Sequence, residues 1–119
     1  MNKNDLKERT KSFGLRCVNL TNALPKTAAG HVLGNQLLRA GTSVGANYRS
    51  ACRSRSTAEF IAKIGVVEEE ADECCYWLEI VRDAKLMKAA LLQSLLQEAD
   101  ELTAIMAASR KSAARNRRR

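Results

Sequence analysis

Apolar and small residues recur along the chain at alternating intervals of three and four, which places them on one face of an α-helix. Four such stripes predict helices over about residues 5–24, 27–51, 56–82 and 88–109. Pro25 ends the first helix, and Thr27 and Ser56 are the predicted N-caps of the next two. Because the links are short, consecutive helices should lie antiparallel. Residues 1–109 are therefore predicted to form an all-α, antiparallel up-down-up-down four-helix bundle.

The stripes of the second and third helices pair in a single antiparallel register. In the register that places Val44 opposite Val67, Leu37 also lies opposite Cys74, so one alignment serves the whole seam. It sets Arg39 level with the carboxylates of the third helix, and a half-buried guanidinium needs such a partner. The predicted structural polar network consists of Arg39, Ser43, Asn47, Glu70, Asp72 and Glu73.

A second stripe on the second helix is rich in glycine, which costs about 1 kcal/mol per residue relative to alanine inside a helix. Close approach of another helix is the usual compensation, and that helix belongs either to the same bundle or to another subunit. The second alternative gives a candidate subunit interface made of Gly34, Leu38, Gly41, Gly45, Tyr48 and Trp77.

Charge is distributed unevenly along the chain. Residues 1–56 carry a net charge of +8, residues 57–109 carry −7, and residues 110–119 carry +6. The last ten residues are predicted to be a basic, disordered tail. This asymmetry indicates an anionic partner, head-to-tail contact between like subunits, or both.

Basic residues give the clearest binding signal. They could contact phosphates, or they could form an ordinary solvated face with salt bridges and a solubilising tail. No aromatic-rich surface accompanies them, so the pattern does not favour stacking on single-stranded bases. The candidate nucleic-acid-binding residues are Arg49, Arg53, Arg55, Lys63, Arg115, Arg117 and Arg118.

Motifs for catalysis or for cofactor binding do not emerge from the sequence. His31 is the single histidine, and neither Glu-x-x-His nor a phosphate-binding glycine loop occurs. The four cysteines lack metal-site spacing. We therefore expect a non-enzymatic protein without metal or cofactor. The chain has no long apolar segment and no hydrophobic signal region near its start, so we expect a cytoplasmic protein with no membrane contact.

The run from Leu33 to Arg49 resembles the signature helix of the four-helix bundle proteins known as the 23S rRNA intervening-sequence protein family. A second similar motif runs from Glu70 to Glu79, and the resemblance extends over about Leu6 to Ser109. It implies a ring-shaped homopentamer. The family also resembles the accessory variability proteins of diversity-generating retroelements, which are basic pentameric barrels that bind nucleic acid.

Two functional hypotheses follow from these patterns. In the first, the chain forms a homo-oligomeric bundle that binds RNA or DNA through its basic surface. In the alternative, it is an interaction module that docks a protein partner without nucleic acid.

Overall fold

The computed structural model describes residues 1–118 and consists of four α-helices joined by three short links. They are α1 (Lys3–Ala23), α2 (Ala28–Cys52), α3 (Thr57–Asp83) and α4 (Ala89–Arg117). Each helix packs antiparallel along the next one in the chain, while α1 and α4 meet over a shorter seam. The molecule measures 51 × 21 × 19 Å. The predicted four-helix bundle is therefore confirmed for the single chain.

Side-chain caps define the helix starts. Thr27 Oγ1 accepts a hydrogen bond from Gly30 N (3.1 Å), and Ser56 Oγ accepts one from Glu59 N (3.1 Å), as their predicted cap positions require. The start of α1 differs from the prediction. Asn2 is the N-cap, and it forms a reciprocal capping box with Asp5. The helix consequently begins two residues earlier than predicted.

The core is built from the stripes seen in the sequence. Thr10 is its buried polar member, and its hydroxyl donates to the Leu6 carbonyl (2.7 Å), so no polar group is left unsatisfied there. The largest fully buried side chains are Tyr48, Phe13, Leu37, Ile64, Leu78, Leu92, Leu102, Met106, Val44, Val67, Val81 and Thr10.

The glycine stripe of α2 meets α1 of the same chain. A Cβ added at Gly41 would lie 2.5 Å from Cys17 Sγ, and one added at Gly45 would lie 3.3 Å from the Thr10 carbonyl. Gly34 likewise faces Thr21. The glycines thus allow α1 and α2 to approach closely.

The predicted subunit interface is therefore wrong for Gly34, Gly41 and Tyr48, which are buried within the chain, whereas Gly45 is half-buried. Gly34, Gly41 and Gly45 contact α1, and Tyr48 is only 2% exposed within the core. Leu38 and Trp77 are half-buried, and their place in an interface stays a prediction.

The prediction of a disordered tail is also wrong, because α4 continues to Arg117. Arg110 Nε donates to Glu68 Oε1 of α3 (2.7 Å), which anchors the extension. Its alanines and basic residues are strong helix formers, and Arg115 and Arg117 complement the negative end of the helix dipole.

Long apolar segments are missing from these helices. Over residues 1–118, no helix is both long enough and apolar enough to cross a bilayer.

Candidate nucleic-acid interface

One end of the bundle gathers three segments that are far apart in sequence. With four alternating helices, the start of α1, the α2–α3 turn and the end of α4 all lie at this end. Lys3, Arg55 and Asn116 line a shared cavity of about 470 Å³ there. Lys3 Nζ lies 5.2 Å from the ring centre of Phe60, a cation–π contact that ties α1 to α3.

Seven exposed cations occupy this region, which we call the basic end. Within residues 1–118 none of them forms an ion pair with an acidic side chain. The nearby acids have other partners, because Asp5 caps α1 and Glu59 accepts from the Arg55 backbone. The basic end consists of Lys3, Arg49, Arg53, Arg55, Arg115, Arg117 and Arg118.

Six of the seven predicted nucleic-acid-binding residues lie at the basic end, and the seventh, Lys63, is not part of it. Lys63 forms an ion pair with Glu59 (2.9 Å) one turn earlier in α3. The hydrogen bond from Lys63, followed by that from the Arg55 backbone, lowers the pKa of Glu59. The charge of Lys63 is thus already partnered.

The predicted polar network is only partly present. Arg39 pairs with Glu70 (3.3 Å) and with Glu73, and Glu73 also accepts from Trp77 Nε1 (3.1 Å). The expected contact between Arg39 and carboxylates of α3 is therefore present.

Three predicted members stand outside this network. Asn47 Nδ2 donates to the Ser43 carbonyl (2.8 Å), a local contact within α2. Asp72 is exposed and forms no ion pair with Arg39, whose partners are Glu70 and Glu73. Successive residues point in directions about 100° apart around a helix, so level register alone did not identify the pairs.

The long flank of the bundle is acidic. We call this the acidic flank, and it covers the middle of α3 and of α4. Arg9 of α1 reaches it, with Nε donating to Glu98 Oε2 (2.8 Å) and Nη2 donating to Glu98 Oε1 (2.7 Å). Sequence reasoning missed this pair, because nothing in the local pattern showed which helices meet across the bundle. The flank consists of Glu68, Glu69, Glu70, Asp72, Glu73, Glu98, Asp100 and Glu101.

A second feature that sequence reasoning missed is an open groove between α1 and α2, with a volume of about 420 Å³. The close approach at Gly14 and Gly45 forms its floor. Cations border it, and the apolar side chains of Leu15 and Val18 line one wall. The residues that line this α1–α2 groove are Lys7, Thr10, Lys11, Gly14, Leu15, Val18, Thr42, Gly45, Ala46 and Arg49.

Three of the four thiols are buried, and Cys52 is half-buried beside the cavity at the basic end. The hydrogen bond with Cys17, together with burial, raises the pKa of Cys74. Burial, then the contact with Asp100, raises the pKa of Cys75 to about 12. In the described part of the chain, no three His, Cys, Asp or Glu side chains are grouped to hold a metal ion. The basic end and the acidic flank offer recognition by charge.

Comparison with known proteins gives consistent results. A family model described as "23S rRNA-intervening sequence protein" matches residues 2–108. A crystal structure of a protein of unknown function from the S23 ribosomal protein family of Bacteroides thetaiotaomicron is 32% identical and superposes with a TM-score of 0.86. That alignment covers 93% of this chain and 99% of the other. No functionally curated protein matches the chain.

Proposed function

Because the chain belongs to the 23S rRNA-intervening sequence protein family, we propose that it is a non-enzymatic homo-oligomer that binds structured RNA or DNA. The contacts are made to phosphates by the side chains of the basic end. Arg53 and Arg55 in the α2–α3 turn are the principal carriers, and α4 supplies further cations.

The observation that carries this proposal is the convergence of seven exposed cations at one end of the molecule. The end is about 20 Å wide, as the two short dimensions of 21 and 19 Å show. A duplex of that length carries about 12 phosphates, at one charge per about 1.7 Å. The density of positive charge therefore suits a double-stranded backbone.

The surroundings of the basic end favour backbone contacts over base reading. Phe60 is its aromatic residue, and that ring is half-buried beneath Lys3. Stacking on unpaired bases needs exposed rings, so the ligand class is a structured nucleic acid recognised by charge and shape.

Salt titration of RNA binding tests the proposal. Fluorescence anisotropy with a structured RNA should show affinity that falls steeply with salt, because bound phosphates release counterions. Arg53→Glu/Arg55→Glu should weaken binding more than tenfold. It should also flatten the slope of log K against log salt by about 2, since each contact contributes about 0.9.

Lys26→Glu/Lys88→Glu is the matched control, because both lysines are exposed in the links at the opposite end of the bundle. It changes the net charge but leaves the basic end intact, so affinity should fall less than threefold. Equal losses in the two variants would contradict a localised site, and undetectable binding at low salt would reject the proposal.

The proposal includes assembly into the ring-shaped homopentamer that the family resemblance implies. The uneven distribution of charge over the surface supports contact between unlike faces of neighbouring chains. Five chains of 13.1 kDa would weigh about 65 kDa in light scattering. A mass near that of one chain would rule out the assembly.

The α1–α2 groove supports a second candidate function, docking of a protein partner without nucleic acid. Purification without nuclease treatment separates the two. A high ratio of absorbance at 260 nm to that at 280 nm favours nucleic acid, whereas a low ratio with one co-purifying protein favours docking.

A further inference from the structure

The α1–α2 groove is an apolar surface with no occupant from its own chain. Leu15 on its wall is 57% exposed, and no residue from α3 or α4 lines it. Lys7, Lys11 and Arg49 surround the groove, and none of the three has an ion pair within residues 1–118. An occupant that fits must therefore combine exposed apolar side chains with negative charges.

The outer side of α3 has this composition. Val66 is 40% exposed and Tyr76 is 56% exposed. Glu69 and Asp72 lie between them on the same side of the helix, both exposed and both outside the ion pairs of the described chain. We call these four residues the α3 ridge.

The dimensions of the two surfaces also agree. Val66 and Tyr76 are separated by about 15 Å along α3, at 1.5 Å per residue. The stretch of α1 that lines the groove, from Lys7 to Val18, is about 16 Å long by the same measure. A helix lying in this groove would cover Leu15 and bring two carboxylates among three cations.

We infer that the α1–α2 groove receives the α3 ridge of a second copy of this chain. The inference rests on the proposed homo-oligomer and identifies the two surfaces that build it. Groove and ridge lie on different faces of one chain, so the contact is head-to-tail and continues from copy to copy. Such a contact closes into a ring when the rotation per subunit allows it.

Charge reversal and charge exchange test the inference by light scattering, with circular dichroism to verify helical folding. Lys7→Glu/Lys11→Glu should reduce the mass to that of one chain, and so should Glu69→Lys/Asp72→Lys. The variant with all four substitutions restores opposite charges across the contact, so its mass should return to the wild-type value. Glu8→Lys, an exposed acid on α1 outside the groove, should leave the mass unchanged.

The outcomes separate this inference from nucleic-acid binding. Arg53→Glu/Arg55→Glu lies outside both surfaces, so it should lose RNA affinity but keep the oligomer mass. If RNA affinity survives in that variant while groove and ridge variants dissociate, nucleic-acid binding at the basic end fails and the inference stands. A monomeric wild type, or folded groove and ridge variants that keep the full mass, would overturn the inference. A four-fold variant that stays monomeric would also overturn it.

Discussion

At the residue scale, Gly41 shows how tightly α1 and α2 are packed. A methyl group at this position would lie 2.5 Å from Cys17 Sγ and 2.7 Å from Cys17 Cβ, both fully buried. Gly41→Ala should therefore lower the free energy of unfolding by about 1–3 kcal/mol, the usual cost of overpacking a core. Urea denaturation followed by circular dichroism measures the change.

Gly65 provides the control for this substitution. A Cβ there would have Arg110 Cδ as its neighbour at 3.8 Å, which is ordinary contact. Gly65→Ala should stabilise the protein by up to about 1 kcal/mol, because alanine is the better helix former. If both substitutions were stabilising, close approach at Gly41 would not be the reason for its glycine.

The cysteines give a second prediction at this scale. Cys17, Cys74 and Cys75 are buried, whereas Cys52 is half-buried at the end of α2. Native protein alkylated at pH 8 and analysed by mass spectrometry should gain one label quickly, at Cys52. Unfolded protein should gain four. Rapid labelling of the adjacent pair Cys74 and Cys75 would contradict their burial.

The raised pKa of Cys75, about 12, sets the direction of its pH dependence. A thiol whose pKa is higher in the folded state contributes stability below its unfolded pKa of about 8.5. This contribution is lost as the pH rises from there toward 12. Cys75→Ser should therefore flatten the alkaline part of a plot of stability against pH.

At the element scale, one residue of the α3–α4 link has a strained backbone conformation. Lys85 has a φ of 57°, in the left-handed region that favours glycine. The Leu86 N–H donates to the Val81 carbonyl (3.1 Å), which ends α3 in the manner of a Schellman motif. Lys85→Gly should raise the free energy of unfolding by about 1 kcal/mol, as measured by thermal or urea denaturation.

Lys88, three residues after Lys85 in the same link, tests whether the effect is local. Its φ of −61° and ψ of 134° suit any residue. Lys88→Gly should leave stability unchanged or slightly lower it. A gain of equal size there would mean that glycine acts through general flexibility and not through φ.

The helices themselves were predictable because their signals are local. Stripes, the caps at Thr27 and Ser56, and Pro25 located the four helices from neighbours in sequence. The extension of α4 was not predictable in this way. Its charge density is typical of disorder, and the contact that anchors it joins Arg110 to Glu68, 42 residues away.

At the scale of the whole molecule, Arg9 closes the bundle between its first and last helices. Arg9 forms a bidentate pair with Glu98, in which the Arg9 side chain is 25% exposed and the Glu98 side chain is 17% exposed. Arg9→Gln should lower the free energy of unfolding by about 1–3 kcal/mol, because it leaves a partly buried carboxylate without its partner. Urea denaturation measures this change.

Arg39 provides the comparison, since its side chain is 50% exposed. Arg39→Gln should cost less than about 1 kcal/mol, as is usual for ion pairs near the surface. Equal costs for the two substitutions would show that closure of the α1–α4 seam depends on apolar packing alone.

Most residues of the candidate site could be predicted from the sequence, but their common location at one end of the bundle could not. Sequence reasoning named Arg53, Arg55 and Arg117, yet only the alternation of four helices brings them to one end. Lys63 was grouped with these arginines because the sequence alone does not show its ion pair with Glu59. The interior role of the glycine stripe likewise depended on which helix lies against α2.

The basic end and the acidic flank make the charge of the surface uneven, and this has a kinetic consequence. A polyanion attracts one part of the surface and repels another, so the protein is turned toward it before the two touch. A larger fraction of collisions then occurs in an orientation that permits binding. Added salt should lower the association rate with any polyanion by a larger factor than it raises the dissociation rate. The orienting force acts over long distances, and counterions screen interactions at such distances most strongly.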